Sequence, residues 1–461
     1  MFASNRGLCS AAGTAVVLLM TCAVSAQDRG DEGSAVRELT RQNAELREEI
    51  DILKSRVSVL EARDSIASAQ HHTSEPASAG PSRTIPPASG ESQTGERVAP
   101  DTANSIPVSD PGTHSMDIPG GPTLKIRGFL DFNFGSGPAA NPLIYPLFPL
   151  TTPPTPVHST FQLGEFDLFL SSRLSKTVNF LSEVVFGSDA TNNWGIDVER
   201  AQLSYKPNEY FEVSAGRMHT AIGYYSTAYH HGTWFQTATG RPFMYFFEDS
   251  GGILPVHEVG ISATGRVPKS GKLNLRWLAE VNNGLASNGG AAGNNPVQNF
   301  LSDRNHKAFN FAGSVKPDWV PGLQIGGNYY HDIREPQGLA HVDNTITGLY
   351  VVYITPVWEF LNELQVQRDH AEGSNVTYNT PLGYTQISHK FGRYRPYFRW
   401  QEVNVPNGDP LYGSVGRYEG PSPGLRIDFT DFAAFKIQYN RLYTRTSTPQ
   451  NGMDGQVAFT F

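Results

Sequence analysis

The chain has 461 residues, 39% apolar and 17% charged, with Gly 45, Pro 32, Tyr 19 and Phe 26. So little aliphatic material beside so many aromatics and turn formers disfavours a helical bundle or a doubly wound α/β enzyme and favours many strands. The formal charge of −8 gives no basic stripe for nucleic acid. Both cysteines, Cys9 and Cys22, fall near the start, which excludes a disulfide framework, a Cys-based zinc site or a thiol nucleophile in the remainder of the chain.

Residues 1–26 carry Arg6, the apolar run from Ala15 to Met20, and Val24-Ser25-Ala26 before Gln27. Basic start, short apolar centre and small residues at the end form a secretory signal peptide, expected to be cleaved after Ala26; a retained anchor or a lipid attached at Cys22 are the alternatives. The apolar run is too short to span a bilayer comfortably. Over 34–63, Val36, Leu39, Asn43, Leu46, Ile50, Leu53, Val57 and Leu60 fill the a and d positions of a heptad repeat, with Asn43 the one polar residue, so a coiled coil is predicted. Glu49 faces Lys54 and Arg56 faces Glu61 in the attractive g-to-e sense. Branched residues at a, Leu at d and one Asn argue for two strands, whereas Arg56-Val57-Ser58-Val59-Leu60-Glu61 resembles the pattern of trimeric coils. Residues 64–119, rich in Ser, Ala, Pro and Gly, have few aliphatics to nucleate a core and read as a disordered linker. His71-His72 within it has no further ligands at useful spacing.

From residue 120 to 461 the pattern changes to period two. In 124–134 the even positions are apolar apart from Gly128, while the odd ones carry Lys125, Arg127, Asp131 and Asn133; a greasy and a wet face mean a half-exposed sheet. The same alternation predicts strands near 124–134, 161–174, 177–187, 197–206, 210–217, 256–268, 272–282, 306–316, 321–332, 345–354, 357–368, 381–392, 395–404, 423–429, 432–442 and 454–461. Tight turns such as Ser175-Lys176, Pro207-Asn208, Thr355-Pro356 and Thr430-Asp431 alternate with connections expected to be longer. The expected fold is therefore all-β and transmembrane: a 16-stranded antiparallel up-and-down barrel behind a coiled coil and linker, with lipid outside and water within. Trp319, Tyr329, Trp358, Trp400, Tyr439 and Tyr443 are expected near strand ends as interfacial girdles.

The chain ends Gln456-Val457-Ala458-Phe459-Thr460-Phe461. Val457, Phe459 and the terminal Phe461 resemble the signal read by the bacterial barrel-assembly machinery. Sixteen strands, this ending, a long third loop from Met218 to Pro255, and the stretches Glu199-Arg200-Ala201-Gln202-Leu203-Ser204-Tyr205 and Ala215-Gly216-Arg217 resemble the bacterial trimeric porins. The preceding coil and linker make the chain similar to the phosphate-selective porin (O and P type) superfamily, including its dicarboxylate-type members. The resemblance implies an outer-membrane homotrimer with the coil in the periplasm. It also implies a third loop folded into the pore, and passive diffusion of small hydrophilic solutes or ions. The implied partners are outer-membrane lipid, the assembly machinery and, through the coil, the cell wall.

Polar groups over a narrow passage can replace part of a solute's hydration shell, which is how pores select. His219, His230, His231, Arg241, Glu248 and Asp249 in or beside the long loop are the candidate constriction; their other reading is that they bond the loop to the wall. The candidate lumen-facing charges are Lys125, Arg127, Asp131, Glu165, Asp167, Arg200, Arg276 and Lys436. The barrel segment holds 26 Lys+Arg against 28 Asp+Glu with no evident cationic ladder, so the superfamily's anion selectivity does not carry over. No catalytic set is present, since neither Gly-x-Ser-x-Gly nor His-Glu-x-x-His occurs. No cofactor or metal ligand set is assigned. The alternatives are a substrate-specific channel for anions, dicarboxylates or metal ions, the last suggested by the histidines around the loop, and an envelope-tethering structural barrel.

Overall fold

The computed structural model describes residues 122–140, 158–188, 194–229, 232–246, 252–287, 300–336, 341–445 and 447–461. The signal peptide, coiled coil and linker expected over 1–119 lie outside the described residues. The strands are β1 (Leu124–Ser136), β2 (Thr160–Arg173), β3 (Val178–Ser188), β4 (Trp194–Tyr205), β5 (Glu212–His219), β6 (His257–Arg266), β7 (Arg276–Asn282) and β8 (Ala308–Val315). They continue as β9 (Leu323–Arg334), β10 (Val342–Ile354), β11 (Trp358–Ala371), β12 (Thr377–His389), β13 (Tyr394–Asn404), β14 (Arg417–Thr430), β15 (Ala433–Thr444) and β16 (Gln450–Thr460). Each pairs with its neighbours in chain order, and β1 closes antiparallel on β16, giving a sixteen-stranded closed barrel without edges.

Alternation builds the wall. On β11, Glu359, Leu361, Glu363, Gln365, Gln367 and Asp369 point inward and are buried, while Leu364 and Val366 point outward and are exposed. Around the barrel, Ile126, Leu203, Ile261, Val281, Phe311, Leu349, Leu364 and Ile437 form an outer apolar belt, each between 40% and 68% exposed. Closure is made by the Gly128 amide donating to the Phe461 carbonyl (2.8 Å) and the Phe461 amide donating to that of Gly128 (3.0 Å). Gly128, the one gap in the apolar row of β1, is covered by the Phe461 ring, which occupies the place a Cβ would take. That ring also stacks on Phe166 with centroids 6.1 Å apart.

Four expectations need correction. Phe129 sits on the wet row of β1 but is buried inside the barrel, its ring 5.2 Å from that of Phe235. The turn between β8 and β9, 316–322, is longer than the connection 372–376 between β11 and β12, so loop lengths do not alternate strictly. Tyr329, Trp400 and Tyr439 lie within strands rather than at their ends. Finally, β14 starts at Arg417, well before the expected 423. It pairs with β13 through Gly420, Pro421 and Pro423. The ladder to β15 passes from Glu419 to Gly424, so the two prolines, which have no N–H to give, stand where that ladder is interrupted.

Candidate functional site

The wet face was expected to line water, yet much of it is covered. The described residues of loop 3, which runs from 220 to 256 between β5 and β6, turn inward and pack against the inner wall of the barrel. Ile222, Tyr225, Phe243, Met244, Tyr245, Ile253 and Leu254 form one buried cluster with the inward residues Tyr330, Ile346, Val352, Leu361, Leu382, Tyr384, Val403 and Leu442. This explains why these wall strands carry apolar residues on both rows: one row meets the outer belt, the other meets the loop.

A largely irregular loop inside a barrel must find partners for its backbone, and the wall supplies them by charge. Carboxylates meet the N–H groups that begin the loop. Glu363 on β11 accepts from the Tyr224 and Tyr225 amides (2.6 and 2.9 Å) and from the Tyr245 and Tyr384 hydroxyls (2.7 and 2.6 Å). Glu280 on β7 accepts from the Ala221 amide (3.2 Å). Cations meet the carbonyls further along. Lys436 donates to Thr233 (2.5 Å), Arg426 to Trp234 and Gln236 (2.7 and 2.9 Å), and Arg399 to Thr239 and Gly240 (2.9 and 3.1 Å). Thr239 also donates to Asp454 (3.0 Å). A single helical turn, α1 (Tyr225–Ala228), begins beside Glu363. Gly223 precedes it at φ 71, with the Tyr245 hydroxyl and Glu363 where a Cβ would stand, so only glycine fits. Burial pushes the Tyr225 phenol up to about 12, and burial together with the Glu363 charge raises that of Tyr245; both stay protonated.

These bonds run to β7, β11 and β13–β16. Thr227, Ala228 and Phe235 of the loop are exposed, and Tyr229, Trp234 and Arg241 partly so. The inward rows of β2–β4 offer Phe169, Leu181, Arg200 and Gln202, also partly exposed. Arg200 is held by Glu183 (2.7 Å) and lies over the Phe169 ring at 5.3 Å. Among the described residues, the accessible strip inside the barrel thus carries aromatic and hydroxyl side chains with Arg241 on the loop, and Phe169, Leu181, Gln202 and the Glu183-paired Arg200 on the wall.

Of the candidate constriction residues, His219 is buried at the loop's root, its Nε2 3.8 Å from Glu183, and its ring 5.5 Å from that of His257. His257 Nε2 lies 2.6 Å from Glu199. Arg241 is in the loop; His230, His231, Glu248 and Asp249 lie outside the described residues. Lys125, Arg127 and Asp131 share the inward row of β1, and Asp167 pairs opposite Phe129 on that row of β2. The Glu165 amide donates to Asp131 (3.3 Å). Lys436 serves the loop rather than open solvent, and Arg276, on the inward row of β7, lines a space at the short-turn end.

That space has no counterpart among the sequence expectations. A cavity of about 410 Å³ at the short-turn end is lined by Arg266, Asn274, Arg276, Ser314, Lys316 and Gln324. Arg266 is paired with Glu209 (3.2 Å), whereas Arg276 and Lys316 are exposed. The signal was present, because the three cations hold the same parity at the short-turn ends of adjacent strands; net charge over the whole barrel averages it away.

No family model and no curated protein matches the sequence. Solved structures do. An anion-selective porin from Comamonas acidovorans is 13% identical with a TM-score of 0.50, over 74% of this chain and 100% of that one. The outer membrane channel DcaP of Acinetobacter baumannii is 10% identical with a TM-score of 0.50, over 74% of this chain and 98% of that one. At such identities the likeness is one of fold: the described part of this chain is a sixteen-stranded barrel of the porin kind.

Proposed function

We propose that the protein is a bacterial outer-membrane porin, a passive diffusion channel for small hydrophilic solutes or ions, narrowed by loop 3. The observation that carries this is a closed barrel with an apolar belt outside and, inside, a loop bonded to one side of the wall while the other keeps accessible polar side chains. An outer belt of this kind is stable in lipid and a liability in water. The finer reading is a homotrimer related to the phosphate-selective porin superfamily. Residues 1–26 direct export, 34–63 form a periplasmic trimeric coil, and 64–119 tether it to the barrel. Val457, Phe459 and Phe461 address the chain to the assembly machinery. Small hydrophilic solutes are the cargo, and no cofactor or chemistry is involved.

The cationic cavity favours a refinement within this reading. Arg276 and Lys316, exposed and in no ion pair among the described residues, raise the local concentration of anions at one mouth, so the channel prefers anions at its short-turn end despite its near-neutral barrel. Liposomes holding the refolded protein test the channel itself. They should swell in isotonic solutions of small sugars, with a rate falling steeply as sugar size increases. Vesicles that stay as tight as empty controls to every sugar and to small ions would refute it.

A further inference from the structure

We propose that His306, Glu335 and His341 bind a divalent transition-metal ion of the zinc class where the fourth and fifth long loops meet. His306 lies two residues before β8, Glu335 directly follows β9, and His341 directly precedes β10. Because β8, β9 and β10 are neighbours, three positions separated in sequence converge at one point on the rim. A ligand atom from each side chain lies within 4.8 Å of the other two. His306 Nε2 is 3.6 Å from Glu335 Oε1, and the two imidazoles meet edge to face at 5.9 Å.

Two imidazoles and one carboxylate are the donor set of open zinc sites, in which water takes the fourth position. Calcium and magnesium, which prefer oxygen donors, are poorly served by it. Zinc–nitrogen distances of about 2.0–2.1 Å place donor atoms roughly 3.3 Å apart around a tetrahedron, so the side chains must close in by about an ångström. They have room: their exposures are 44%, 36% and 52%. Their backbones are held. Arg304 is buried, with Nη2 on both oxygens of Asp332 (2.7 and 2.6 Å) and Nη1 on the Leu285 carbonyl (2.7 Å). The Glu335 amide donates to Ser287 Oγ (3.1 Å), and the Glu372 amide to the His341 carbonyl (2.7 Å). The Glu372 carboxylate lies 4.0 Å from His341 Nδ1 and has to close in by about an ångström to orient the imidazole through its other nitrogen, as carboxylates do at metal-binding histidines. That leaves His341 Nε2 for the ion. A bound ion fastens loop 4 to loop 5, independently of what passes through the barrel.

The test is zinc titration calorimetry on the full-length, chelator-treated protein refolded in detergent, with folding of each variant checked by its heat-dependent migration on gels. One zinc ion per protomer should be lost or weakened at least about 100-fold in His306→Ala and in His341→Ala, and about 10-fold in Glu372→Gln. The exposed His158→Ala should bind as the unmodified protein does, and neither calcium nor magnesium should compete. On the unmodified protein alone, cobalt should give the intense visible bands of a low-coordinate imidazole site. Zinc bound as tightly by the double His306→Ala, His341→Ala variant as by the unmodified chain, or a cobalt spectrum like that of the hydrated ion, would overturn the site. An unaltered affinity in Glu372→Gln would remove the positioning role of that residue.

Discussion

At Glu363, two amides and two phenols converge on one buried carboxylate. Glu363→Ala leaves those buried donors without their acceptor, a loss of about 2–5 kcal/mol. The unfolding midpoint in detergent should fall, and channel current should become larger and noisier as loop 3 comes away from the wall; an unchanged midpoint and a quiet, unchanged current would show that the loop is held by its apolar cluster alone. At the seam, Gly128→Val drives a side chain into the Phe461 ring, overpacking that costs about 1–3 kcal/mol. Its folding yield should drop, and Phe461→Ala in the same chain should recover part of it; no recovery would mean that the glycine serves some other purpose. Sequence shows the parity of Glu363 and the anomaly of Gly128. It does not show their partners, because a long-range contact leaves no mark on local periodicity: Glu363 meets loop residues 138 and 139 positions away.

At the scale of elements, strand existence is written in the alternation, since inward and outward rows meet different surroundings. The long third loop is legible from its length. Its use is less so: the apolar residues on the inward rows of β10–β13 register a second, internal core, and only the folded loop shows what they pack against. The start of β14 was hidden by Gly420, Pro421 and Pro423, which punctuate most chains but are tolerated where a ladder is interrupted. The cations Arg266, Arg276 and Lys316 belong to this scale too, because three adjacent strands make them a group. In a salt gradient, replacing Arg276 and Lys316 together by Glu should move the reversal potential toward cation preference, and more so at low ionic strength, where screening is weakest. A reversal potential unmoved at every salt concentration would place the selecting charges elsewhere, with Arg200 and its neighbours the next to change.

At the scale of the whole molecule, an apolar exterior, a wall without edges and an interior partly occupied by its own loop are mutually consistent for a barrel that lives in lipid. The coil proposed over 34–63 is an addition to the barrel, and removing residues 27–118 should leave the barrel folded and conducting. Cross-linking of the full-length and shortened proteins would then separate trimers held by the coil from trimers held by the wall. The most direct measurement is single-channel current of the purified, refolded protein in a planar bilayer. A narrowed porin trimer gives stable openings in groups of three equal steps, each smaller than an unobstructed sixteen-stranded barrel would pass. A folded, inserted barrel that carries no current at any voltage would contradict the central claim and make loop 3 a plug.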